Sequence, residues 1–246
     1  MRSNERTPAA VACVEVGASS IQTVLLCPEG TVTILTGAHE PPAKTPLLIA
    51  VPGLVEGRRV LAASNLGWYD VDPAQALGLA AEADFVSNDA EAAALGESVL
   101  RAGAPDLVFI GLGTGVGGAV VHAGAVAANL FAHQQGFGER ECTCTQIGCL
   151  ETVAGGWALP DTLTDADLGP MAAALARAVD AEPLATPVLV VLAGGLTRAY
   201  PALLGLVAAA LPDRTVEPSQ AVGTKSAAPW GLRDLWERRP AASLSA

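Results

Sequence analysis

The sequence predicts a mixed α/β protein built as two related lobes. Its 246 residues suit two lobes of roughly 100–150 residues each. Apolar residues make up 51% and charged residues 16%, enough to fill a core and well away from a disordered composition. A strand–turn–strand pattern also opens the chain twice, and each time it leads into helical patterns and a further strand. The expected division is residues 1–100 and 101–246, with the C-terminal tail packing back on the N-terminal lobe.

The elements run in order from the N-terminus. Ala10–Val16, AVACVEV, reads as a buried strand, and Gly17–Ser20 as a small-residue turn. Ile21–Cys27 and Thr31–Thr36 complete an antiparallel meander. Pro41, Pro42 and Pro46 mark a linker before a strand at Leu47–Val51. Asp72–Ala83 has a helical pattern with Pro73 at its start. Ser87-Asn88-Asp89 precedes a strongly helical run, Ala90–Leu100. The second opening is a strand at Leu107–Leu112, a glycine-rich turn and a strand at Ala119–His122. Met171–Val179 is helical, Val188–Ala193 is a strand, and Gly194-Gly195 turns into a helix near Ala199–Leu211.

The net charge of −11 disfavours sequence-independent DNA binding, which needs clustered cations against phosphate. Met1–Pro8 is polar, with no apolar signal region after it. The longest apolar runs, Val188–Ala193 and Leu203–Leu211, are too short for a membrane span. The expectation is a soluble cytoplasmic protein with no nucleic-acid or membrane partner. Five cysteines, an odd number, argue for a metal site and core thiols over a disulfide framework.

Five segments can carry chemistry. Gly111–Gly118, GLGTGVGG, offers closely spaced backbone N–H groups and the Thr114 hydroxyl. It contains a GxGxxG string, but the residues after that string read as a strand and not a helix, so a dinucleotide fold is rejected. A phosphate-binding hairpin at Gly113, Thr114, Gly115 and Gly117 and a plain glycine hairpin both fit. Glu15 with Gly17 and Ser19 can hold hydrated Mg²⁺ and phosphate, or is an ordinary hairpin. Asn88-Asp89 can bind a hydroxyl and accept its proton, or cap the helix, or do both. His133 with Cys142, Cys144 and Cys149 completes a Cys₃His set, the composition of structural zinc sites. Gly194-Gly195 is a tight strand-to-helix turn on which a nucleotide can lie.

In this order the segments resemble the ROK family of repressors, open reading frames and sugar kinases. The resemblance rests on Glu15–Ser20, Val51–Val55, Ser64–Trp68, Ser87–Glu97, Gly113–Gly118 and the Cys142-x-Cys144-x-x-x-Gly148-Cys149-Leu150-Glu151 signature. It implies a two-lobed actin-like ATPase fold of the ribonuclease H type, with mixed sheets and a zinc-binding insertion. It further implies phosphoryl transfer from Mg-ATP to a hexose or amino-sugar hydroxyl, with Asp89 as general base. Asn65, Asn88, His133 and Glu151 would contact the sugar, His133 while also ligating structural Zn²⁺. Glu15, Gly17, Ser19, the glycine hairpin and Gly194-Gly195 would hold the nucleotide. A homodimer is also implied.

Four departures stand out. Glu15 and Ala18 replace the family's Asp and second Gly, and Leu130 stands where a sugar-binding Glu is usual. Only His39–Pro46 occupies a position where the family carries a helix. No helix-turn-helix segment precedes the first strand, which points away from the repressor branch. These departures leave two readings: an active sugar kinase, and a weak or inactive sugar- or nucleotide-binding relative.

Overall fold

Two five-stranded sheets carry the chain, strung in the same order. The computed structural model describes residues 10–104, 106–128, 131–182 and 188–239. Met1–Pro8 and Leu130 lie outside the described residues. The chain forms two compact units, Met1–Asn88 with Leu232–Ala246, and Asp89–Gly231.

In the first unit, β1 (Val11–Val16), β2 (Ile21–Leu26) and β3 (Val32–Thr36) are antiparallel neighbours. β4 (Leu47–Val51) runs parallel to β1, and β8 (Phe85–Asn88) parallel to β4, giving the order β3-β2-β1-β4-β8. β1 and β4 are buried along their whole length, which is why both read as near-continuous apolar runs. Val14, Val16, Leu47, Ile49, Val51 and Val86 form the core. A small antiparallel sheet, β5 (Leu54–Glu56), β6 (Arg59–Ala63) and β7 (Trp68–Val71), comes after β4. The helix expected over Asp72–Ala83 is only the single turn α1 (Pro73–Ala76). Asp72 caps it, Oδ1 accepting the Ala74 N–H at 2.8 Å, but Gly78 then turns left-handed at φ +72°.

The second unit opens with α2 (Asp89–Leu100). β9 (Leu107–Leu112), β10 (Val116–His122) and β11 (Ala125–Ala128) form an antiparallel meander. After α3 (Glu151–Ala154) and α4 (Asp165–Asp180), β12 (Leu189–Ala193) pairs parallel with β9. α5 (Gly195–Ala199), α6 (Ala202–Ala210), the parallel strand β13 (Thr215–Pro218) and α7 (Ala228–Arg238) complete the chain. The order β11-β10-β9-β12-β13 repeats that of the first unit strand for strand. β10 begins at Val116, not Ala119, so Gly117 and Gly118 are strand residues and the loop shrinks to a turn. The helix expected near Ala199–Leu211 splits into α5 and α6. Pro201 excludes a helical conformation at Tyr200, which sits at φ −126°, ψ 74°.

Helix α2 is anchored inside this unit by backbone contact. A Cβ on Gly96 would fall on the Ala227 carbonyl oxygen, and one on Gly231 would fall on that of Ala92. Glu97 is fully buried on α2, pairs with Arg101, and accepts hydrogen bonds from Ser219 Oγ and from the Gln220 N–H, the latter at 3.1 Å. The loop after β13 is thereby tied to α2. No helix among the described residues is long and apolar enough to cross a membrane.

These glycines make opposite predictions. Gly96→Ala should destabilise by about 1–3 kcal/mol through overpacking, read as a lower urea midpoint at unchanged slope. Gly205, exposed within α6 with open space around it, should gain up to about 1 kcal/mol as Ala.

Candidate active site and metal centre

The four predicted ligands come together. His133, Cys142, Cys144 and Cys149 place one donor atom each within 4.8 Å of all the others. Cys144 Sγ and Cys149 Sγ are 3.6 Å apart, and Cys142 Sγ lies 3.8 Å from His133 Nδ1. A tetrahedral zinc with bonds of about 2.0–2.3 Å sets its ligands about 3.5–3.8 Å apart; the Cys144–Cys149 and Cys142–His133 pairs meet that spacing, and the donor chemistry fits. Burial pushes the Cys142 thiol up, and burial with the two neighbouring thiols pushes Cys149 up to about 12. Crowded thiolates are therefore costly without a cation, which is what a bound metal supplies. The local turn depends on Gly148 at φ +72°, where a Cβ would collide with the Gly138 carbonyl.

The glycine segment is a tight hairpin turn. Leu112 faces Val116, and the Gly113 N–H donates to the Gly115 carbonyl at 3.0 Å. Apart from its own chain neighbours, no atom of the described residues lies within 4 Å of where a Gly113 Cβ would be. Gly117 packs on Ala90 of α2, 3.4 Å from a built Cβ to the Ala90 methyl. Gly194 sits against the same corner: at φ +99°, its Cβ would fall on the Leu112 carbonyl oxygen, so only glycine fits. Gly195 is exposed at the start of α5.

Glu151 is 3% exposed, and protein donors hold both of its oxygens. Oε2 accepts the Val116 N–H at 2.9 Å. Oε1 accepts from Trp157 Nε1 at 3.1 Å and from the Thr143 hydroxyl at 3.4 Å. The Gly156 and Trp157 N–H groups donate to the Gly113 and Thr114 carbonyls at 2.9 and 2.8 Å. Sequence reasoning missed Thr143, Gly156 and Trp157, and the bond from the Val116 N–H to Glu151. The Gly155-Gly156 pair after the cysteine signature was the one available signal, and a Cβ on Gly156 would lie 2.6 Å from the Gly113 carbonyl oxygen.

Asp89 begins α2, directly after the buried strand β8. It keeps part of its surface open, yet desolvation of its carboxyl raises its pKa. The Ala90 N–H, which donates to Oδ1 at 2.8 Å, and the charge of Lys225 offset part of that rise. Asp89, the glycine hairpin, Glu151, the four metal-ligand candidates and Gly194-Gly195 all belong to the second unit.

Asn88, Asn65, Glu15, Gly17 and Ser19 belong to the first unit. Asn88 Nδ2 donates to the Gly53 carbonyl at 2.9 Å, pinning the turn after β4. Asn65 is exposed in a short 3₁₀ turn, Ser64–Leu66. Glu15 is buried, 4% exposed, and accepts from Gln22 Nε2 at 3.2 Å. Gly17 donates to the Ser20 carbonyl, closing a turn in which Ser19 is exposed.

The ROK family profile matches residues 29–204. The sequence is 36% identical over 136 residues to a glucokinase of Halalkalibacterium halodurans, covering 49% of this chain and 41% of that protein. It is 34% identical over 131 residues to a kanosamine kinase of Amycolatopsis mediterranei, covering 49% and 42%. A putative xylose repressor of Caldicellulosiruptor sp. is 34% identical over 137 residues, covering 48% and 34%. The matched stretch thus takes in well under half of each relative. The fold superposes on a ROK family glucokinase from Streptomyces griseus, solved with glucose and AMPPNP, at a TM-score of 0.71 and 21% identity, covering 92% of this chain and 99% of that one. The architecture is the two-lobed actin-like ATPase fold, and the chain belongs to the ROK family.

Zinc should bind at about one ion per chain. Cys149→Ser should bring the metal content measured by plasma mass spectrometry close to zero and lower the unfolding temperature. Chelator should do the same to the wild type.

Proposed function

We propose that this chain transfers the γ-phosphoryl group of ATP to a hydroxyl of a hexose or an amino or otherwise modified sugar. The observation that carries the reading is Asp89, a desolvated carboxyl at the head of α2, in one unit with the glycine hairpin. Raising a carboxyl's pKa makes it a better proton acceptor near neutrality. In the reaction the sugar oxygen forms a bond to the γ-phosphorus, and the bond from that phosphorus to the bridging oxygen of ADP breaks. Asp89 takes the hydroxyl proton.

In the second unit the turn of the glycine hairpin, through the Thr114 hydroxyl and the main chain at Gly115, would meet phosphate, and the turn at Gly194-Gly195 the nucleotide; Gly113 and Gly117 keep the turn free of side chains, and Gly17 and Ser19 of the first unit are assigned further nucleotide contacts. Mg²⁺, held through Glu15, would neutralise phosphate charge. Asn65, Asn88, His133 and Glu151 orient the sugar. His133 Nδ1 lies 3.8 Å from the Cys142 thiol, among the metal-ligand candidates, which leaves Nε2 for a sugar hydroxyl. The identity to a kanosamine kinase supports including amino sugars in the substrate class. A homodimer is the assembly we propose.

A weak or non-catalytic binding protein is the second reading. Glu15 favours it, because its carboxylate is buried and already accepts from Gln22. Sugar-stimulated ADP release across hexoses, amino sugars and deoxy sugars decides between the two. Sugar binding by calorimetry without turnover would select the binding protein.

Asp89→Asn should lower kcat by about 10²–10⁴-fold while sugar still binds. The base acts only when ionised, so activity should fall as pH drops. Because burial raises its pKa, the midpoint of that acid limb should lie above the ordinary Asp value of about 3.9.

A further inference from the structure

We infer that the metal centre sets the shape of the glycine hairpin, and that Glu151 is the positioning residue that joins them. The inference deepens the phosphate-binding reading of Gly113–Gly118, and its functional meaning rests on that reading.

The connection is short and continuous. Glu151 lies two residues after the ligand candidate Cys149 and opens α3, which is only four residues long. A single helical turn cannot hold itself in water, so its position comes from what brackets it. On one side lies the metal loop. The Leu150 N–H donates to Gln134, next to His133, at 2.9 Å, and Thr152 Oγ1 donates to the Cys149 carbonyl at 2.8 Å. Thr143, between two ligand cysteines, donates its hydroxyl to Glu151 Oε1. On the other side lies the hairpin. Glu151 Oε2 takes the Val116 N–H, and Gly156 and Trp157 donate to the Gly113 and Thr114 carbonyls. Three hydrogen bonds from one seven-residue stretch, 151–157, therefore clamp both arms of the turn.

The carboxylate is chemically necessary to this arrangement. Its two oxygens face two separate donors, Val116 N–H and Trp157 Nε1. A glutamine has one acceptor oxygen, and its NH₂ would be turned toward a donor. Glu151→Gln thus keeps size and packing but breaks one side of the clamp. Removing the metal releases the same clamp from its far end, because the thiols and imidazole no longer hold the loop that carries Glu151. Such coupling is reciprocal: a ligand that orders the hairpin must tighten metal binding by the same factor.

Amide hydrogen exchange tests this on the whole chain, with β12 as an internal reference. In the zinc-loaded wild type, Val116, Gly156 and Trp157 should be protected. After chelation, and in zinc-loaded Glu151→Gln, their exchange should accelerate about tenfold or more while β12 stays protected. Trp157→Phe, which removes one donor to Oε1, should give a smaller acceleration. Unchanged hairpin exchange in the chelated protein or in zinc-loaded Glu151→Gln would overturn the inference. So would hairpin and β12 losing protection together, since the metal would then support the whole unit and not the hairpin. AMPPNP with Mg²⁺ should raise zinc affinity in the wild type and leave it unchanged in Glu151→Gln. If AMPPNP binds but zinc affinity does not move, the coupling fails. If AMPPNP does not bind at all, the phosphate reading fails while the exchange result still judges the clamp.

Discussion

Backbone meets backbone at the end of β9, and the rest of the second unit is arranged to permit it. The Leu112 carbonyl is approached by Gly194, the Gly113 carbonyl by Gly156, and the face of β10 at Gly117 by Ala90. Each approach works because a side chain is missing or is a single methyl group. Side chains there would push β12, the stretch after α3 and α2 off the same corner. A close-packed interior yields little to such intrusions. The glycines are therefore a packing requirement before they are a binding motif. Gly113, alone among these, looks onto open space.

The duplicated sheets place two hairpin turns at equivalent positions, with different contents. One pair back from the β1–β2 turn, Glu15 faces Gln22. One pair back from the β9–β10 turn, Gly111 faces Gly117. The first hairpin thus presents a buried carboxylate and an amide hydrogen-bonded to each other, and the second presents bare main chain. The same position in the two hairpins thus carries paired polar side chains in one unit and no side chains in the other.

Much of this was legible in the sequence because it is local. The β1, β4 and β9 runs are apolar on both faces, so composition alone marks them. The metal set is legible because thiols and imidazole at that spacing have few other uses. The features that escaped depend on distant partners. β5, β6 and β7 are short and half exposed, too brief for an alternating pattern to show. The helix from Asp72 looked longer than it is because Ala and Leu favour helix while Gly78 quietly ends it. Glu151 could be placed by its signature, yet its bond to Val116 joins residues 35 positions apart and leaves no mark in either segment.

The way the units are threaded has a consequence for synthesis. The second unit is one continuous stretch, Asp89–Gly231, inserted into a first unit whose last piece begins at Leu232. A ribosome delivers residues in order, so the inserted unit has every residue it needs before the host unit does. The first unit must wait with its sheet laid down but its final helical segment missing. β3, with Val32 and Ile34 more than a third exposed, is an open strand edge then as it is in the finished unit. Interruption of translation after residue 231 would cut α7 after its first turn and leave the host without its last piece.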